Sequence, residues 1–171
     1  MGDLTVVPAQ LKGTIVKGKI VPHLIDEVPI LAVASACAQG RSEFKDMAEL
    51  RVKETDRIAT LEKNFQRLGI RIASGKGSFK IDSPLCKGGD RGVDPGITRD
   101  LPPLAPPYKG GESVDSYGDH RIAMSLAILA TALPTPLLIR NVDCINTSFP
   151  QFFASLRKIG VKLQIFKRNF L

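Results

Sequence analysis

Residues 55–72 read TDRIATLEKNFQRLGIRI, and a change of period inside this stretch decides the fold. Ile58, Leu61, Phe65 and Leu68 recur at three- and four-residue intervals, which marks the apolar face of a helix over 55–68. Thr55 stands at the N-cap position and Gly69 supplies the stop. Beyond Gly69 the helical period gives way to short β-branched runs. These predict strands near 70–73 and 78–81, joined by the turn Ser74-Gly-Lys-Gly77.

Working outward, residues 11–21 alternate Ile and Val and are broken by glycines, which predicts one strand or two short ones. Residues 25–39 (IDEVPILAVASACAQ) are apolar nearly all round and end at Gly40, the pattern of a buried helix. Pro29 falls in its first turn, where a missing N–H costs little. The second half repeats this order: a mostly apolar helix over 119–133, a strand over 136–140, an amphipathic helix over 148–159 ended by Gly160, and a strand over 161–166. Asp26 then matches Asp119, Thr55 matches Ser148, and LGIRI (68–72) parallels IGVKL (159–163) two residues out of step. Either one βαβα-type unit occurs twice, or two αβ units are alike by chance. The repeat favours an α/β architecture in which sheet covers small apolar helices. Between the halves, residues 84–111 hold six of the chain's twelve prolines and two Lys-Gly-Gly triplets. A structureless stretch of this length reads as an inserted surface loop.

The 171 residues are 43% hydrophobic and 24% charged, a core-forming composition that suits one domain or a large piece of one. The net charge of +7 points to nucleic acid, an acidic lipid surface, a phosphorylated small molecule or simply a solvated basic surface. Few aromatics and no Trp argue against a stacking platform for single strands. Cys37, Cys86 and Cys144 form no CxxC pair and the two histidines stand apart, so free thiols and no metal are expected. Without a signal-peptide pattern or a run long enough to span a bilayer, a cytoplasmic location is expected.

Three segments carry chemistry. In residues 49–58 (ELRVKETDRI), Lys53, Glu54 and Arg57 lie at a helix start, with Lys53 and Arg57 one helical turn apart. Cations beside the free N–H groups of a helix start favour an anion; a salt-bridged, exposed helix start is the other reading. In residues 117–124 (YGDHRIAM), Asp119, His120 and Arg121 open an apolar helix, and three polar residues exceed what a cap needs. Asp26 opens a third, as a plain N-cap or as a site carboxylate. Placed together, these helix starts would floor a site for phosphate or carboxylate, without naming a reaction.

These segments resemble the EPSP (5-enolpyruvylshikimate-3-phosphate) synthase family. LRVKETDRI (50–58) is similar to its most distinctive motif, DHRIAM (119–124) to a second, IDEVP (25–29) to a third and TSFP (147–150) to a weaker fourth. The resemblance runs from about Leu4 to Gly160. It implies repeated βαβαββ units of the enolpyruvyl transferase fold, an inside-out α/β barrel, with this chain forming the C-terminal part of one of two domains. It also implies transfer of enolpyruvyl from phosphoenolpyruvate to the 5-hydroxyl of shikimate 3-phosphate with release of phosphate, needing no cofactor or metal. By resemblance Asp26 holds the shikimate hydroxyls and accepts a proton, Lys53 contacts shikimate 3-phosphate and the reacting oxygen, and Glu54 assists proton transfer at the enolpyruvyl carbon. Arg57 and Arg121 clamp the carboxylate and phosphate of phosphoenolpyruvate, with His120 their neighbour. Thr147 stands where many relatives have Lys, and Glu49 where many have an amide. Nothing matches the segments that complete the grip on shikimate 3-phosphate, so the expected partner is the N-terminal portion of such an enzyme, not nucleic acid or membrane. A nucleotide-sugar enolpyruvyl transferase and a non-catalytic binder of acidic partners are the competing readings.

Overall fold

Phe44 and Phe79 face each other across two antiparallel strands, their rings stacked with centroids 4.5 Å apart. This pair marks the inner face of the first sheet. The computed structural model describes residues 3–82 and 112–166, and the insertion expected over 84–111 lies outside the described residues. The first sheet contains β1 (Ile15–Val16), β2 (Arg41–Phe44), β3 (Arg71–Ser74) and β4 (Phe79–Asp82) in the order β1-β2-β4-β3. β1 runs parallel to β2, while β4 is antiparallel to both β2 and β3. Alternate residues on these strands turn inward, so Ser42, Phe44, Ile72, Phe79 and Ile81 are buried while their neighbours are not.

A short helix α1 (Val21–Leu24) leads through a 3-10 turn (Ile25–Glu27) into α2 (Val28–Ala36), and α3 (Arg57–Arg67) follows β2. β1, α2, β2, α3, β3 and β4 make one complete βαβαββ unit. The predicted apolar face of α3 is the buried one: Ile58, Leu61, Phe65 and Leu68 join the core with Val28, Ala32, Ile72 and Ile81. Gly69 ends the helix with φ of 70°, a left-handed conformation that a side chain would strain.

The second unit begins with β5 (Ser113–Asp115), crosses through α4 (His120–Thr131) and returns as β6 (Leu138–Arg140) parallel to β5. The helices α5 (Ile145–Ser148) and α6 (Phe152–Lys158) follow. Asn64 joins the two units. Its side chain donates to Asp115 O (2.7 Å) and accepts from Asp115 N (3.0 Å), so α3 satisfies the edge of β5 as a neighbouring strand would.

Several sequence expectations need correction. The first strand shrinks to Ile15–Val16, because residues 18–24 coil into a 3-10 turn and α1. The buried helix stops at Ala36, short of Gln39. Asp56, not Thr55, caps α3, its side chain accepting from Ala59 N at 2.9 Å. The helix expected over 148–159 is broken at Phe149 (φ −143°, ψ 77°), because Pro150 drives the residue before it out of the helical region. Residues 161–166 form no strand, and the Thr55–Ser148 match therefore does not hold. β2 and β5 escaped the sequence reading, since Phe44 and Val114 alone are apolar in RSEF and SVD.

Phe65, on the apolar face of α3, is fully buried in the main core. Phe65→Ala is expected to cost about 3–5 kcal/mol in urea unfolding; a loss below about 1 kcal/mol would contradict this core.

Candidate active site

Arg57 is the first residue of α3, and it enters the protein rather than leaving it: its side chain is 1% exposed. A buried guanidinium needs its charge and its N–H groups answered. Nε donates to Asp119 Oδ2 at 2.7 Å, Nη1 to Asp26 Oδ1 at 3.0 Å and Nη2 to Glu54 Oε2 at 2.7 Å. Burial alone would lower the Arg57 pKa, but the hydrogen bond and charge of Asp119, then Asp26 and Glu54, raise it above its ordinary value. The three predicted segments therefore do converge, and Arg57 is where they meet.

Asp119 is fully buried and uses both oxygens. Oδ1 caps α4 by accepting from Arg121 N (2.9 Å) and Ile122 N (3.2 Å), while Oδ2 takes Arg57 and, at 3.5 Å, the Thr55 hydroxyl. Sequence reasoning treated Asp119 as a cap and missed its second duty. The available signal was that a cap occupies one carboxylate oxygen, and a second one at a buried helix start must find a donor.

Asp26 is not an N-cap. It lies in the 3-10 turn before α2, where Glu27 holds the cap position, and its half-exposed carboxylate collects three cations. Arg57 reaches Oδ1 at 3.0 Å, Arg121 Nη2 lies 3.5 Å from Oδ2, and Lys53 Nζ lies 3.8 Å from Oδ1. Burial tends to raise the Asp26 carboxyl, but the Arg57 hydrogen bond and the charges of Arg121, Lys53 and Arg57 outweigh it and hold it below its ordinary value. Arg121 also donates to Asp26 O at 3.0 Å and pairs with Glu27 at 3.1 Å, a partner the sequence did not suggest. His120 is half-buried at the first position of α4, between Asp119 and Arg121 in the chain. Thr147 turns its hydroxyl back to Cys144 O at 2.8 Å.

Lys53 is not part of α3, so its four-residue spacing from Arg57 is not a helical turn. It ends the 3-10 helix Ala48–Val52 in an extended conformation and pairs with Glu49 at 2.5 Å. Arg51, two residues before it, donates to Lys76 O and Asp56 Oδ2, each at 2.7 Å, and to Gly75 O. The turn between β3 and β4 thus clasps the segment that carries Lys53 and Glu54. A Cβ on Gly77 would sit 3.2 Å from Ala48 N and Cβ, so a larger residue there would push the two segments apart by a few tenths of an ångström.

The charge balance departs from the expected cationic floor. Lys53, Arg57 and Arg121 are met by Asp26, Glu27, Glu49, Glu54 and Asp119. An anion entering here must displace a carboxylate or bring in cations from another part of the protein. Among the described residues, no group of His, Cys, Asp and Glu is placed to hold a metal ion, and no helix is long and apolar enough to cross a membrane.

The unit order and layering are those of the enolpyruvyl transferases. The enolpyruvyl transferase NikO from Streptomyces tendae superposes with a TM-score of 0.58 at 19% identity, over 90% of this chain and 29% of that one, a likeness of fold alone. The family model described as EPSP synthase (3-phosphoshikimate 1-carboxyvinyltransferase) matches residues 2–156, and the chain belongs to that family. It is 39% identical over 159 residues to the 3-phosphoshikimate 1-carboxyvinyltransferase of Petrotoga mobilis, covering 93% of this chain and 32% of that protein. The Coxiella burnetii (strain CbuK_Q154) protein of the same name is 40% identical over 162 residues, covering 95% and 32%. EPSP synthase from Acinetobacter baumannii superposes with a TM-score of 0.73 at 28% identity, over 92% of this chain and 32% of that one. The chain thus spans about a third of the length of these relatives.

Removing Asp119 leaves a buried guanidinium without its fully buried partner, so Asp119→Ala is expected to destabilise the chain by about 3–5 kcal/mol. Asp119→Asn, which keeps a cap oxygen, should lose less; equal stability of Asp119→Ala and wild type in urea would contradict the buried pair. A second expectation concerns pH. Because Asp26 titrates lower folded than unfolded, it stabilises above its ordinary value of 3.8 and loses that contribution as pH falls through the folded value. The stability gap between wild type and Asp26→Asn should therefore narrow from pH 6 to pH 3 in urea titrations, and a constant gap would refute this.

Proposed function

We propose that the chain is the C-terminal portion of an enzyme that moves enolpyruvyl from phosphoenolpyruvate to the 5-hydroxyl of shikimate 3-phosphate. The observation that carries the reading is the Asp26 carboxylate, depressed and ringed by Lys53, Arg57 and Arg121 from two other segments that match the family's motifs. An ionised carboxylate can accept the proton of an attacking hydroxyl once that oxygen has begun to bond to carbon and its proton has become acidic. As oxygen bonds to the enolpyruvyl C2, its C3 must gain a proton; Glu54 in its protonated form, released from the Arg57 guanidinium, would deliver it. C3 then gives its proton back to Glu54 as the bond from C2 to the phosphate oxygen breaks, and the leaving phosphate takes the proton held by Asp26, which restores the enol ether and both carboxyl groups.

The grip on the anions would come first from Arg121 and Lys53, whose side chains are 30% and 25% exposed. Arg57, 1% exposed, could join only by exchanging Asp26 or Glu54 for a ligand carboxylate, and both of those acids face solvent. His120, between Asp119 and Arg121 in the chain, would border the same ligand by resemblance to the family. The five carboxylates around three cations favour the view that the remaining cations belong to the N-terminal portion. A cytoplasmic location fits the small phosphorylated substrates that this reading requires.

The chain alone is expected to be inactive, since losing one wall of a site removes orientation and charge stabilisation together. Phosphate release from shikimate 3-phosphate plus phosphoenolpyruvate should appear on adding the N-terminal portion of a related synthase, and Lys53→Ala should cut it at least about 10²-fold. Turnover by the isolated chain near that of a complete enzyme would sink the first expectation. Silence with the added portion would sink the proposed activity.

A further inference from the structure

The three cations around Asp26 are not held alike. Arg57 and Arg121 both bond Asp26 directly, at 3.0 Å to its carboxylate and 3.0 Å to its carbonyl. Lys53 stays 3.8 Å from the Asp26 carboxylate, beyond hydrogen-bonding range, because its ammonium is taken by Glu49 at 2.5 Å. The backbone explains this. Lys53 leaves the 3-10 helix in an extended conformation (φ −78°, ψ −164°), so its side chain can fold back across the preceding turn to reach Glu49. The other charged groups near Lys53 are fixed elsewhere: Arg57 by Asp119 and Glu54, Arg121 by Glu27.

We propose that Glu49 is a positioning residue for Lys53, drawing its ammonium away from Asp26 and competing with an incoming phosphate or carboxylate for it. Two physical facts set the size of the effect. The pair is open to water, with Glu49 54% and Lys53 25% exposed, so removing it changes anion affinity by no more than about fivefold. The effect also shrinks with salt, as exposed charges do. The Lys53 ammonium is held above its ordinary value first by the Glu49 hydrogen bond, against burial, with the charges of Glu49 and Asp26 adding and that of Arg57 opposing. Deleting the Glu49 carboxylate therefore lowers the pH at which Lys53 gives up its proton. The inference deepens the anion-site reading and rests on it for the ligand step, whereas the Glu49–Lys53 link stands on geometry.

The test uses this chain with Glu49→Gln, with Glu43→Gln as the charge-matched control, since Glu43 pairs instead with Lys45 at 3.2 Å. The lysine Cε–Hε signals are followed by NMR, with Lys53 assigned by its loss in Lys53→Arg, through a pH titration and then a titration with inorganic phosphate. In Glu49→Gln, Lys53 is expected to titrate at lower pH than in wild type or in Glu43→Gln. Its phosphate midpoint should fall by up to about fivefold at low salt. An unchanged Lys53 titration overturns the inference, as does a lowered titration with an unchanged phosphate midpoint. If phosphate moves the Lys53 signal in neither protein, the anion site of the proposed function fails and the competition step falls with it, while a lowered titration still upholds the positioning role.

Discussion

Everything at the site depends on one buried charge. Taking a guanidinium out of water costs several kcal/mol unless its charge and N–H groups are answered. In this chain the answer comes from Asp119, Asp26 and Glu54, which lie on three separate segments. Arg57 can stay inside only if the start of α3, the 3-10 turn before α2 and the cap of α4 all meet at one point. The ion pair adds little net stability over a well-packed apolar substitute. What it adds is register: a slip of either unit by a few ångströms would strand a charge in the core.

The rest of the architecture serves that meeting point from two sides. Below it, Asn64 ties α3 to the edge of β5, which fixes the second unit against the first. Above it, Arg51 and the turn between β3 and β4 hold the 3-10 helix and the cap residue Asp56. Between these clamps lie the solvent-facing ends of the network, Asp26, Glu54 and Glu49. The gradient from Asp119, fully buried, to Glu49 and Glu54, each 54% exposed, separates what is structural from what a ligand can displace.

Much of this was legible in the sequence, and the failures have physical reasons. The long helices were readable because their apolar faces repeat through several turns, as in Ile58, Leu61 and Phe65. β2 and β5 were not, because a strand of three or four residues with one apolar side chain has no period to detect; the partner strand makes it. Asp26, Lys53, Arg57 and Arg121 were all marked, and the structure does bring them together. What the sequence could not show was who pairs with whom. Five acids and three cations in two short segments and a turn admit many pairings, and only the geometry reveals that Arg57 is claimed from all sides while Lys53 is claimed by Glu49. The second half of the repeat was over-read for a related reason: Pro150 was visible, yet the symmetry with α3 was given more weight than the restriction it places on Phe149.

The distribution of exposure also bears on how a cluster of cations can carry a family's motifs and yet present little net positive charge. A site whose cations are already neutralised by neighbouring acids costs little to keep folded, since no like charges are forced together. It binds an anion only when something else supplies the missing positive charge or lifts a carboxylate away. Chain-wide positive charge does not substitute for this, because at physiological salt charges beyond about 8 Å are largely screened. The +7 of the whole chain and the acid excess of the cluster are therefore compatible, and the second is the one a bound anion would meet. Within that cluster the balance is tipped locally, by which carboxylate holds which cation, and Lys53 is the cation whose allegiance is easiest to change.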